Sequence, residues 1–209
     1  MARKLMVSEF LTLDGVMQAP GAVDEDREGG FKHGGWQDGL FDDVLGDAIG
    51  EIFNETDALL LGRKTYELFA DFWPKADDAF AAVMNGMPKY VASSTLTEPL
   101  AWQNTTLLTG DVAKAVAALK DETGKGIQVI GSGVLVQSLA KHGLVDEYRL
   151  QIHPIVIGSG KRLFGEAEAP MRMRLTDSRT TPKGVVILTY SPVSEASWAG
   201  TRDAAAAAV

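Results

Sequence analysis

The chain has 209 residues, a net charge of −8 at neutral pH and a sequence pI of about 4.9. This length suits one α/β domain, and the absence of cysteine excludes disulfides, thiolate catalysis and cysteine-ligated metal sites. The acidic balance disfavours nucleic acids and anionic membranes as partners. Residues 1–7 have the pattern of neither a signal peptide nor a membrane span, so we expect a cytoplasmic protein.

The first two thirds of the chain alternate between strand and helix patterns. The predicted strands are 4–13, 58–61, 90–92, 105–108 and 127–130. The predicted helices are 40–54, 63–71, 76–85, 111–122 and 134–141, the last with Gly143 as its C-cap. Alternation of this kind predicts a mostly parallel sheet with helices on both faces.

The last third of the chain no longer alternates between strand and helix patterns. An apolar segment at 146–157 has no helix directly behind it, and the strand patterns 175–181 and 185–190 flank a Pro-Lys-Gly turn, which predicts an antiparallel hairpin. We therefore predict one domain over residues 1–193. Residues 194–209 end in an alanine run and are predicted to form a flexible tail.

Two predicted strand ends carry groups suited to a phosphate. After the strand 58–61, Gly62-Arg63-Lys64-Thr65 offers a close turn, two cations and a hydroxyl at a helix start. After the strand 90–92 come the hydroxyls of Ser93, Ser94 and Thr95. Each segment also has a purely structural interpretation, as a strand-to-helix turn with solvated cations and as a helix cap.

A third strand end carries glycines. Gly131-Ser132-Gly133 connects the strand 127–130 to a helix and would let a pyrophosphate approach the backbone, but Val136 stands where a Rossmann fingerprint requires glycine. The histidines His33, His142 and His153 have no metal-ligand spacing, so no metal site is predicted.

The order of the motifs is more specific than any one of them. LDG at 13–15, ALLLGRKTYE at 58–67, SST at 93–95, VIGSG at 129–133, DEYRL at 146–150 and PIVIG at 154–158 follow one another. This order resembles the dihydrofolate reductase-like superfamily over residues 3–192. The pattern is most similar to the reductase domain at the C-terminus of the bifunctional riboflavin-biosynthesis deaminase–reductase. The resemblance implies a single-domain, three-layer α/β fold with a mixed, mainly parallel sheet and an antiparallel C-terminal hairpin.

The resemblance also implies NADPH as cofactor and a homodimer as the assembly. Arg63 or Lys64, with Ser93 and Ser94, would hold the 2′-phosphate, where a cation and hydroxyls select a phosphate monoester. The remaining implied cofactor-binding residues are Gly62, Thr65, Gly131, Ser132, Gly133, Val134 and Leu135.

The substrate side is less defined. The expected cleft lies between the end of the first strand, the long polar loop 18–39 and the acidic helix 40–54. Asp14 and Asp47 are the candidate catalytic acids, and Trp36, Tyr66 and His153 are candidate substrate contacts, with Trp36 also suited to a lid. A turn-capping role for Asp14 and a solvated helix face for Asp47 are the alternatives.

The leading hypothesis is an NADPH-dependent reductase of a small heterocyclic or carbonyl substrate, resembling 5-amino-6-(5-phosphoribosylamino)uracil reductase. The deaminase half of the bifunctional enzyme is absent, and its zinc motif requires cysteine. Dihydrofolate reductases carry an acid on the helix before the GR-T block, whose surroundings differ here. The alternatives are a nucleotide-binding protein of this fold without turnover, and a dihydrofolate reductase proper.

Overall fold

The scaffold is one eight-stranded sheet. In the computed structural model, which describes residues 2–165 and 170–193, the strands are β1 (Leu5–Thr12), β2 (Thr56–Gly62), β3 (Lys89–Ala92), β4 (Thr105–Leu108), β5 (Gly126–Ile130), β6 (Glu147–His153), β7 (Met173–Thr180) and β8 (Val186–Pro192). Their spatial order is β4-β3-β2-β5-β1-β6-β8-β7.

Strands β1 to β6 run parallel to one another, and β8 is the reversed strand between β6 and β7. β1 lies between β5 and β6, with Val7 opposite Val129 and Tyr148 in parallel register. β8 pairs antiparallel with both β6 and β7. The predicted mainly parallel sheet with a C-terminal hairpin is therefore confirmed, as is the α/β fold class.

Five α-helices connect the strands. They are α1 (Asp43–Glu55), α2 (Arg63–Phe72), α3 (Ala79–Gly86), α4 (Val112–Asp121) and α5 (Gly133–Lys141). α1 and α3 begin three residues later than predicted, because the carboxylates of Asp42 and Asp78 accept a backbone N–H three residues further on and fix the first turn there. Asp111 caps α4 in the same way, as predicted.

Both faces of the sheet are covered. Successive residues of β2 point to opposite faces, and Leu59, Leu60 and Leu61 are all fully buried. Leu60 belongs to the core under α4 and α5, whereas Leu59 and Leu61 belong to the core under α2 and α3. α1 covers the β8 side of that second face, where Leu45 packs with Ile187.

The boundaries of the last elements have local causes. β6 ends at His153, four residues before the end of the apolar segment 146–157, because Pro154 has no N–H to continue the ladder. Gly143 adopts a left-handed φ of 65° after α5, and its N–H bonds to Ala140. The predicted tail, 194–209, lies outside the described residues. None of the helices in the described ranges has the length and apolarity needed to cross a membrane.

Candidate functional site

A cleft of about 2440 Å³ opens at the carboxyl ends of the parallel strands. In open α/β sheets this is the edge where ligands bind, because helix N-termini point their amides toward it. Its walls come from the end of β1, the loop 17–39, α1, α2, the turn after β3 and the turn after β5. All eleven residues predicted for the cofactor line it: Gly62, Arg63, Lys64, Thr65, Ser93, Ser94, Gly131, Ser132, Gly133, Val134 and Leu135.

The helices α2 and α5 begin at the cleft without side-chain caps. α1, α3 and α4 each have an aspartate that accepts a first-turn N–H, but the N-cap residues of α2 and α5, Gly62 and Ser132, make no such bond. The first-turn N–H groups of α2 and α5 are therefore available to an anion, and the helix dipoles add to the attraction.

Hydrogen bonds tie these two helix starts together. Ser132 Oγ accepts the Gly62 N–H at 2.9 Å, and the Ser132 N–H donates to Thr65 Oγ1 at 3.0 Å. Gly131 has a φ of 58°, and a Cβ built on it would lie 3.0 Å from Thr65 Oγ1. Glycine at 131 thus allows the β5–α5 turn to approach α2 closely.

The two cations at this site already have carboxylate partners. Arg63 Nη1 lies 2.9 Å from Glu67 Oε2, one turn along α2. Lys64 forms an ion pair with Glu28 of the long loop, and Glu28 also forms an ion pair with Lys161. The lysine contacts hold the pKa of Glu28 low, at about 2. A phosphate ester at Lys64 would therefore compete with Glu28 for the same ammonium group.

The turn after β3 is built by a serine hydroxyl. Ser93 Oγ accepts the backbone N–H groups of Thr95 and Leu96 at 3.1 and 3.0 Å. The helix-cap interpretation of the Ser93-Ser94-Thr95 segment is therefore wrong, because no helix lies between β3 and β4 and the hydroxyl closes a turn instead. Ser93 and Ser94 still line the cleft beside the α2 N-terminus.

An aromatic wall, which the sequence did not single out, lines the other part of the cleft. Phe53 at the end of α1 meets Phe80 of α3 edge-on, with ring centroids 4.8 Å apart. The ring centroid of Trp73, just after α2, lies 5.3 Å from that of Phe80 and 4.9 Å from that of Phe72. We call the space bounded by Phe53, Phe69, Phe72, Trp73 and Phe80 the aromatic chamber.

Glu9 is a buried acid in the cleft lining that the sequence analysis also missed. Its side chain is 5% exposed, and no described residue bonds to its Oε1 atom. Burial raises the pKa of this carboxyl well above its usual range, and a hydrogen bond from the Gly131 backbone opposes that shift only in part. The signal available in the sequence was a single acid inside the apolar strand Leu5–Thr12.

Asp14, predicted as catalytic, lies outside the cleft lining and organises a turn. Its carboxylate accepts the Thr12 hydroxyl at 2.6 Å and the backbone N–H groups of Ile157 and Gly158. These bonds, with that of Thr12 the largest cause, lower the pKa of Asp14 to about 2. The carboxylate therefore stays ionised in the physiological range and joins the end of β1 to the segment after β6.

Trp36 and His153 pack against each other beneath the long loop instead of lining the cleft. Their ring centroids are 5.2 Å apart, and the Trp36 indole N–H donates to the Gln18 carbonyl at 2.7 Å. His153 is fully buried, and burial lowers its pKa. Trp36 therefore fastens the loop to the sheet, and His153 is a neutral core residue.

Tyr66 and Asp47 also lie away from the cleft lining. Tyr66 is buried, and its hydroxyl accepts the Trp102 backbone N–H at 3.0 Å. Asp47 is exposed on α1, on the same side as Asp43 and Glu51. The α1 residues that line the cleft are uncharged: Gly46, Ile49, Gly50 and Phe53.

Comparison of the chain with known proteins identifies a family. The model of the RibD C-terminal domain matches residues 3–187. The chain belongs to this family. A relative from Bacillus subtilis (strain 168), the protein YyaP, which is described as uncharacterized, is 30% identical over 195 residues, covering 90% of this chain and 94% of its own.

Solved structures agree on the fold. A putative riboflavin biosynthesis protein from Shewanella sp. PV-4 is 25% identical, with a TM-score of 0.72 over 93% of this chain and 100% of its own. A dihydrofolate reductase from Enterococcus faecalis, complexed with NADP(H), is 13% identical, with a TM-score of 0.58 over 93% of this chain and 100% of its own. The dihydrofolate reductase-like fold is therefore confirmed.

Proposed function

We propose that the protein is an NADPH-dependent reductase of a small carbonyl or heterocyclic compound. The observation that carries the proposal is the pair of uncapped helix starts, α2 and α5, joined by the Ser132–Gly62 hydrogen bond and flanked by Arg63 and Lys64. The family membership supports the reductase class.

The residues fit a dinucleotide phosphate in three respects. The first-turn N–H groups of two helices are free to bind the pyrophosphate, and the Gly131-Ser132-Gly133 turn lets it approach the backbone. Arg63 and Lys64, at the start of α2, line the same cleft as Ser93 and Ser94. A cation with hydroxyls recognises the 2′-phosphate that distinguishes NADPH from NADH.

NADPH held by these residues would supply the hydride that reduces the carbon of a C=O or C=N bond, whose heteroatom would take a proton. The chain itself binds and orients both reactants at the ends of β1 and β5. Glu9 of β1 lines the same cleft, and burial raises the pKa of its carboxyl. We also propose that the protein is a homodimer and that it acts in the cytoplasm.

The dihydrofolate reductase alternative has less support. That activity requires an acid on the helix before the GR-T block to orient the pterin. Here the four acids of α1 are exposed, and two of them form ion pairs, Glu51 with Arg179 at 2.7 Å and Glu55 with Arg149 at 2.5 Å. The side of α1 that lines the cleft offers a pterin no carboxylate.

The test is a pair of titrations, with NADPH and NADH, followed by tryptophan fluorescence and by calorimetry. We expect NADPH to bind at least ~10-fold more tightly than NADH, a difference of about 1.4 kcal/mol. Binding of neither nucleotide would overturn the reductase. NADPH binding without oxidation across carbonyl, pteridine, pyrimidine and quinone substrates would favour the binding-protein alternative.

A further inference from the structure

We infer that the substrate is an uncharged, planar, largely apolar compound, and that it binds in the aromatic chamber. This inference rests on the proposed reductase and narrows its substrate class. It separates the protein from reductases whose substrates carry a phosphate, because a phosphate needs a cationic partner and none of the residues that bound the chamber is a cation.

Three helices contribute aromatic rings to the chamber. Phe53 of α1, Phe69 and Phe72 of α2, and Phe80 of α3 all line the cleft, and Phe72 remains 58% exposed. Large apolar side chains at a concave surface are the usual lining of a site for a small apolar ligand. Phe53 already packs edge-on against Phe80, and Phe72 against Trp73, and a further flat ring can pack against these rings in the same way.

Positive charge is confined to the other part of the cleft. Among the described lining residues the cations are Arg63, Lys64, Lys161 and Arg162. Lys64 and Phe72 are eight positions apart on α2, about 12 Å at the rise of a helix. A phosphate on the substrate would therefore be buried without a cation, which is costly.

Trp73 adds a polar group to this apolar wall. Of the indole N–H groups in the described ranges, those of Trp36 and Trp102 donate to Gln18 and Asn85, whereas that of Trp73 is buried and has no partner. A buried donor without a partner is unfavourable, and a ligand acceptor would satisfy it. A carbonyl oxygen is such an acceptor.

The helix α1 leaves open space beside these rings. Gly46 and Gly50 line the cleft one turn apart, and a Cβ built on Gly50 would meet no atom within 4 Å. Glycine is unfavourable inside a helix, so larger residues there would favour the fold. A leucine at position 50 would therefore fill the chamber while leaving α1 intact.

The experiment compares naphthoquinone with naphthoquinone sulfonate, which share a planar ring system and differ by one negative charge. Calorimetry with NADP⁺ present measures binding without turnover. We expect naphthoquinone to bind at least tenfold more tightly than the sulfonate, and Gly50→Leu to weaken it at least tenfold. Gly86→Leu is the matched control, because Gly86 lies on α3 in open space outside the cleft lining.

Equal affinity for the two quinones, or unchanged affinity in Gly50→Leu, would overturn the inference. Trp73→Phe keeps the apolar wall and removes the donor, so we expect naphthoquinone to bind severalfold more weakly; an unchanged affinity would remove the indole from the site. Failure of NADP⁺ to bind would overturn the proposed reductase instead, and the quinone titrations repeated without nucleotide would still decide the chamber.

Discussion

The hydroxyl of Ser132 accepts the backbone N–H of Gly62 at 2.9 Å, across the ends of the neighbouring strands β5 and β2. Ser132 does this from a left-handed backbone conformation, with φ at 60°. One side chain thus fixes the distance between the two helix starts that we propose to bind the cofactor phosphates, and it does so at a cost in backbone strain.

This relationship predicts different stabilities for two variants at position 132. Ser132→Ala loses the hydrogen bond and keeps the strained backbone, so we expect it to be about 1 kcal/mol less stable. Ser132→Gly also loses the bond, but glycine relieves about 1 kcal/mol of left-handed strain and should restore near-native stability. Urea unfolding measures both. Equal stability of the two variants would show that the left-handed backbone at position 132 is not strained. We expect both variants to bind NADPH more weakly than the wild type.

Removal of the two cations at the start of α2 should change nucleotide selectivity. In the double variant Arg63→Ala with Lys64→Ala, we expect NADPH affinity to fall at least ~10-fold, with a much smaller effect on NADH, because only NADPH carries the 2′-phosphate. The matched control, Lys75→Ala with Lys114→Ala, removes the same charge from exposed ion pairs outside the cleft lining. Equal weakening of both nucleotides would remove the 2′-phosphate assignment.

Neutralisation of Glu28 should have the opposite effect. Glu28→Gln frees Lys64 from its carboxylate partner, so we expect NADPH to bind about two- to fivefold more tightly, the range set by exposed ion pairs. Asp24→Asn is the control, since Asp24 lies on the same loop but pairs with Arg27. Calorimetry of both variants provides the comparison, and weaker binding in Glu28→Gln would show that the pair supports the site.

Burial of Glu9 should make stability depend on pH. The pKa of this carboxyl is raised in the folded protein, so the unfolded chain ionises first, at about pH 4.3, while the folded chain stays protonated. Stability should therefore fall as pH rises from there to the folded pKa, by up to about 1.4 kcal/mol per pH unit. Glu9→Gln lacks this group. The unfolding free energy of this variant minus that of the wild type should therefore increase with pH over the same range.

The measurement is urea unfolding of both proteins at matched pH values from acid to neutral. Other shifted carboxyls, such as Glu28 and Asp14, titrate alike in the two proteins and cancel in the difference. A difference in unfolding free energy that stays constant with pH would show that Glu9 is ionised in the folded protein.

Local signals were sufficient for the elements and for the turns at the cleft. The run Ala58–Leu61 is apolar at every position, as a strand buried on both faces requires, and Gly62 ends it. Asp111 marked the start of a helix because its side chain competes for backbone N–H groups at short range. Signals of this kind lie within a few residues, so the sequence predicted them.

The substrate side required contacts that no local pattern contains. Tyr66 occupies a helix that lines the cleft, yet its ring packs on Trp102, which is distant in sequence. His153 was predicted to contact substrate, but the long loop folds back and places Trp36 over it. The sequence indicated side-chain chemistry at these positions, and only packing decided which way each side chain points.

Helix α1 shows most clearly which features the sequence determined and which the tertiary structure decided. Its sequence alone determined an amphipathic helix with acids at 43, 47 and 51 on one side. Which side turns to the cleft was decided by the packing of Leu45 and Ile52 on the sheet. That packing turns Gly50 and Phe53 to the cleft and leaves the acids in solvent, because a helix can bury only one stripe of its surface and the sheet fixes its rotation.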